Sequence, residues 1–163
     1  RPLRLAASDA ERLVAEARLA WPREACGLVV SRGAFNAGTP RVLYAGRNVI
    51  DALHWEDPQQ WPPPTEGYVL DPQILRAAQH WLRQPGWILG AIYHSHTNGL
   101  ARLSPGDLRL ACDAHGRPHF PQTVQLLIVL ARREAEPEFR AWQWNGERYA
   151  ERRVRVTPER APP

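Results

Sequence analysis

Hydrophobic and polar positions along the chain switch between two periods, and the switches mark the elements. Leu13, Ala17 and Ala20 fall three or four residues apart, which places one apolar face on a helix over 9–20. Ser8-Asp9-Ala10-Glu11 reads as a capping box opening that helix, and Pro22 closes it. The apolar run 26–31 predicts a strand, 33–40 is rich in turn formers, and 41–49 predicts a second strand with Val42 and Tyr44 inward. Periodicity then lapses from Ile50 to Gly67, which contains Pro62-Pro63-Pro64 and predicts a long loop. Asp71-Pro72 starts a second helix with Ile74, Leu75, Ala78 and Leu82 on its apolar face, and Pro85-Gly86 stops it.

The apolar run 87–93 predicts a buried strand that ends in His94 and His96. A third helix is expected over 105–113, with Leu108, Ala111 and Cys112 packed. The run 123–130 predicts a central strand, and 139–144 alternates as a further one. Asn145-Gly146 is a tight turn into a terminal strand over 147–156, and a frayed tail follows over 157–163. Mixed strands and helices of this kind predict an α/β fold, a single domain over 1–156 built on a mixed sheet flanked by helices.

Composition narrows the picture. A chain of 163 residues with 44% hydrophobic residues can bury one core. No apolar run reaches the roughly 20 residues that span a bilayer, so no membrane partner is expected. Cys26 and Cys112 lie far apart and lack metal-ligand spacing. Two inert thiols in a reducing cytoplasm are the simpler reading, with a Cys26–Cys112 disulfide as the alternative. The net charge is +4, and every one of the 21 basic residues is arginine. The arginines are scattered apart from a group at Arg148, Arg152, Arg153 and Arg155, which reads as a solvated face rather than a nucleic-acid site.

Chemistry concentrates where the 87–93 strand ends. Residues two apart on a strand share a face, so His94 and His96 can reach one point while Ser95 faces away. Asn98-Gly99 turns the chain, and Ser104-Pro105-Gly106-Asp107 is a helix start, with Ser at the cap and Pro first. Strand end and helix start can bring His94, His96 and Asp107 together, and two imidazoles with one carboxylate form an open catalytic zinc site. A lone His-x-His is usually no ligand pair, and Ser-x-x-Asp alone is usually a cap. Their spacing on a strand–turn–helix unit is what raises the joint case.

His94-Ser95-His96-Thr97, six residues, then Ser104-Pro105-Gly106-Asp107 resembles the signature of the JAMM (MPN+) zinc metalloproteases. Pro22-Arg23-Glu24-Ala25-Cys26-Gly27 resembles the family's upstream glutamate motif, and Thr97 stands where proline is usual. The resemblance implies a curved mixed sheet in a JAMM/MPN, cytidine-deaminase-like fold. It implies one catalytic zinc ion on His94, His96 and Asp107, with Glu24 as general base and acid and Ser104 as oxyanion donor. It also implies a (iso)peptidase that cleaves after the Gly-Gly tail of a ubiquitin-like or sulfur-carrier protein. The alternative is a non-hydrolytic MPN-type interaction module, whose members typically lack a ligand. A zinc deaminase is a weaker rival: His54-Trp55-Glu56 supplies its His-x-Glu, but no close cysteine pair accompanies it. The loop's Trp55 and Trp61 are candidate substrate contacts, with Tyr68 beside them, and the oligomeric state, a homodimer included, is left open.

Overall fold

Continuous apolar strands need cover on both faces, and the central sheet has it. The structure is a computed structural model that describes residues 1–159. In chain order its elements are β1 (Leu3–Ala6), α1 (Ala7–Ala20), β2 (Cys26–Arg32), β3 (Arg41–Ala45), α2 (Ile50–Glu56), α3 (Gln73–Leu82), β4 (Trp87–His96), α4 (Pro105–Ala111), β5 (Val124–Val129), β6 (Glu138–Trp144), β7 (Tyr149–Arg152) and β8 (Val154–Thr157). Six strands form a mixed sheet in the order β3-β2-β4-β5-β6-β7, and β1 pairs with β8 in a separate parallel ribbon. Within the large sheet only β4 and β5 run parallel; the other neighbours are antiparallel. The fold is the expected single α/β layer arrangement around a mixed sheet.

Alternation along the strands sorts the core. Val29, Tyr93, Leu126 and Ile128 face α1 and β1, packing on Leu3, Leu5, Leu13 and Ala17. Leu28, Val30 and Leu89 face α3, meeting Ile74 and Ala78. β5 is buried along its whole length, as a central strand covered on both sides must be. Ile92, in register with Leu28, packs on the α3 side, so His94 two residues on shares that face just beyond the helix's cover.

Six expectations need correction. The first helix starts at Ala7, straight out of β1; its N-cap residue is Ala6, and Ser8 makes no cap but donates to Glu159. The second strand ends at Ala45, and 46–49 turns away to pair with 69–71. The long loop holds a two-turn helix, α2, anchored by buried Ile50. Leu108 is not packed: α4 is two turns long and buries Asp107. The terminal strand breaks at Arg153, where the chain leaves β6 and crosses to β1. Thr157, assigned to the tail by pattern, pairs with Ala6, while 160–163 lie outside the described residues. β1 and β8 are separated by almost the whole chain, so no local signal announces their pairing.

Candidate metal centre

The end of β4 and the start of α4 meet as the motif spacing requires. His94 and His96 project from one face with their Nε2 atoms 3.2 Å apart. Asp107 Oδ2 lies 3.2 Å from His94 Nε2 and 3.1 Å from His96 Nε2. Ser104 is the N-cap of α4: its Oγ accepts from the Asp107 N–H at 3.0 Å, and its own N–H donates to Asp107 Oδ2 at 2.7 Å. This reciprocal box, with Pro105 at the first turn, fixes the rotamer that aims Asp107 at the histidines. All three side chains are buried.

The donor set fits a divalent cation. His96 Nδ1 lies 2.7 Å from the Leu100 carbonyl, which can only accept, so that nitrogen carries the proton and Nε2 presents its lone pair. Burial holds the His94 ring below its ordinary pKa and so neutral. Burial alone would raise Asp107, but the neighbouring His94 and His96 rings and the hydrogen bond from the Ser104 N–H hold its carboxyl well below the usual range. Two imidazole lone pairs and a carboxylate oxygen therefore converge on one point. One proton could satisfy only part of that convergence, whereas a cation satisfies all of it. Tetrahedral zinc with ligands near 2.1 Å needs donor separations of about 3.4 Å, close to those found.

Glu24 sits immediately before β2, buried at 4% exposure, with Oε1 3.9 Å from His96 Nε2. Its Oε2 is buried without a hydrogen-bond partner. Desolvation pushes its pKa up to about 8, against the lowering effect of nearby His96. Ser95, pointing away from the histidines, accepts from the Ala25 N–H at 2.8 Å, and its own N–H donates to the Ala25 carbonyl at 2.9 Å. The residue between the two histidines thus ties the Glu24 segment to β4. Cys26 lies opposite His94 in the sheet, and burial pushes its thiol up to about 12, so it is inert; both cysteines are free. Gly27 is required next: a Cβ there would fall 2.2 Å from the Tyr93 ring, whose hydroxyl donates to Glu16 at 2.5 Å.

The segment 61–69 straps across this centre. The Glu24 N–H donates to the Pro64 carbonyl at 2.7 Å, and Thr97 Oγ1 donates to the Thr65 carbonyl at 3.1 Å. A proline at 97 could not make the second bond, so Thr97 supplies a tether of its own. Tyr68 is not a surface contact: it is buried, and its ring stacks on His94 with centroids 4.4 Å apart. Of the two candidate tryptophans, Trp55 projects from α2 at 88% exposure, and Trp61 is half-buried at the start of the strap, its carbonyl held by His54 Nδ1 at 2.7 Å. His54 is occupied in that contact, away from the three convergent ligands. Among the described residues, His94, His96 and Asp107 are the group able to hold a metal, and no helix is long and apolar enough to cross a membrane.

Residues 6–145 match the family described as prokaryotic homologs of the JAB domain. The chain belongs to that family. Over 69 residues this JAB domain is 39% identical to a probable TtuB-protein conjugate cleaving protease of Thermus thermophilus, a match covering 42% of this chain and 46% of that protein. The chain thus spans under half the length of that relative. A protein of Desulfitobacterium hafniense solved in solution superposes with a TM-score of 0.67 at 26% identity, covering 96% of this chain and 94% of the other. One from Salinibacter ruber gives 0.57 at 18% identity over 98% and 94%, a likeness of fold alone.

Proposed function

We propose that this JAB domain is a zinc-dependent peptidase that cleaves protein conjugates after the Gly-Gly tail of a ubiquitin-like or sulfur-carrier protein. The observation that carries the reading is the buried convergence of His94, His96 and Asp107 with the unpartnered carboxylate of Glu24 beside it. The Thermus relative's described action on a carrier-protein conjugate supports the substrate class.

A bound zinc ion supplies Lewis-acid activation of water and carbonyl. Glu24 takes one proton from the attacking water at its free Oε2 and returns it to the leaving nitrogen as the C–N bond breaks. Its raised pKa belongs to the metal-free protein; a cation held by His94, His96 and Asp107 would favour its ionised form. Ser104 Oγ accepts from the Asp107 N–H, which leaves its own proton free to donate to the carbonyl oxygen as charge develops there. Exposed Trp55 and half-buried Trp61 grip the carrier protein, serving position rather than chemistry.

The test is mass spectrometry of a Gly-Gly-tailed carrier fused to a C-terminal extension, after incubation with the zinc-loaded protein. Release of the extension at the second glycine is expected. An intact fusion in the presence of folded, zinc-loaded protein overturns the reading.

A further inference from the structure

Asn48 has no place in the chemistry above, yet three segments of the site meet on its side chain. Its Nδ2 donates to the Glu24 carbonyl at 3.2 Å and to the Gly67 carbonyl at 3.1 Å. Its Oδ1 accepts from the Ile50 N–H at 3.2 Å and from the Val69 N–H at 3.1 Å. A primary amide has two donors and two acceptor sites, and here all four are used. The main chain around it reinforces the junction: the Val49 N–H donates to the Val69 carbonyl at 2.8 Å, and the Asp71 N–H donates to the Arg47 carbonyl at 2.9 Å.

Three of the four bonds end on residues beside the centre, and the fourth on the helix that leads into the strap. Glu24 carries the buried carboxylate. Gly67 and Val69 flank Tyr68, whose ring lies against His94. Ile50 is the first residue of α2, the helix that leads into the strap. From this junction we infer that Asn48 is a positioning residue, one that sets where the Glu24 carboxylate and the Tyr68 ring stand relative to His94, His96 and Asp107. The inference deepens the peptidase reading and rests on it for its effect on rate.

The chemistry of the amide makes the claim separable from mere support of the fold. Asn48→Asp keeps an acceptor for the Ile50 and Val69 N–H groups and adds a negative charge at the N-terminus of α2, which that helix tolerates. It loses both donors, so the Glu24 and Gly67 carbonyls then face a carboxylate. The variant should therefore hold α2 and release Glu24.

The experiment uses the full chain in two arms. In the first, zinc-loaded wild type and Asn48→Asp are compared on the Gly-Gly fusion. The expected result is unchanged zinc content, nearly unchanged KM and a kcat lower by about 10²-fold, the scale of a misplacement of roughly 1 Å. In the second, amide hydrogen exchange is followed by NMR on both metal-free proteins. The Glu24 N–H should exchange at least about tenfold faster in Asn48→Asp, while the Ile50 and Val69 amides and those of Leu126 and Ile128 in β5 stay protected. A variant with wild-type kcat, or with wild-type Glu24 protection, overturns the inference. So does a general loss of protection that includes β5, since that assigns Asn48 to stability alone. If wild type releases nothing from the fusion, the peptidase reading fails while the exchange arm still decides whether Asn48 holds Glu24. If wild type and Asn48→Asp cleave equally well, the Asn48 inference fails and the peptidase reading stands.

Discussion

The centre is framed by two regions built on different principles. On one side are β4 and α4, whose side chains converge because strand and helix periods dictate their directions: His94 and His96 share a face, and the Ser104 cap turns Asp107 toward them. On the other is the stretch from Asn48 to Val69, held through its main-chain carbonyls, which Glu24 and Thr97 engage from outside the stretch and His54 and Asn48 from within it. The first region places the residues able to hold a metal; the second places the carboxylate and the walls. Contacts enforced by a period can be read before the fold is known. Contacts made to carbonyls cannot, because every residue has one.

The sharpest way to break the first region is to remove a ligand. His96→Ala takes away one of three convergent donors and leaves Asp107 buried beside a single imidazole. It should lose both zinc and hydrolysis outright, by metal analysis of the purified protein and by the fusion assay. Equal zinc in variant and wild type would remove His96 from the ligand set.

Glu24→Gln probes the seam between the regions. The amide keeps the shape but cannot take a proton, so the zinc-loaded variant should stay folded and lose about 10²- to 10⁴-fold in rate. Near-normal turnover would take Glu24 out of the mechanism. The same substitution has a second signature in metal-free protein. Folding raises the Glu24 pKa from 4.5 to about 8, so below the lower value native and unfolded chains both hold the proton. Between the two values only the native chain holds it, and stability falls as pH rises through that window, becoming flat above it. Glutamine has no such proton, so Glu24→Gln should melt higher than wild type near about pH 8, by an amount worth a few kcal/mol, and almost equally near about pH 4. A melting difference independent of pH would show that burial of the charge is not the cause.

Ser104→Ala should be milder, because α4 keeps Pro105 and its main-chain bonds. Losing one oxyanion donor predicts about a 10²-fold drop in kcat. Losing the cap adds about 1 kcal/mol of instability, readable as a lower melting temperature with zinc still bound. A lower melting temperature with an unchanged kcat would leave Ser104 as a cap alone.

How much of this was legible follows from the same contrast. The strand ending in two histidines, the Ser-Pro helix start and the apolar strands 26–31 and 123–130 stand close to where their patterns place them. Ser8 misled because its hydroxyl is spent on Glu159, a tertiary partner no local window contains. β1 and β8 are four residues each, too short for a period, and depend on pairing across the chain. α2 buries only Ile50, so its seven residues show no apolar stripe. Asn48 carries no motif at all; its meaning lies in four partners spread over 24 to 69.

The smallest expected effect separates the two tryptophans from the strap they border. Trp55 is 88% exposed on α2, whereas Trp61 is half-buried where the strap begins. An exposed indole offers a large apolar surface with two side-chain torsions to immobilise, so it favours contact with a partner at low entropic cost. If the pair grips the body of a carrier protein, replacing both with Ala should lower kcat/KM on the whole carrier fusion several-fold, of the order of one lost interface anchor. Hydrolysis of a short Gly-Gly peptide, which has no carrier body to grip, should stay close to wild type, and zinc content should not change. Trp61→Ala alone distinguishes grip from support, because the Trp61 backbone carbonyl is the point at which His54 fastens the strap. A loss on the fusion alone assigns Trp61 to substrate. Equal losses on the fusion and the short peptide mean instead that the strap has shifted and carried the Glu24 N–H contact with Pro64 along with it, and the grip must then be assigned away from this pair.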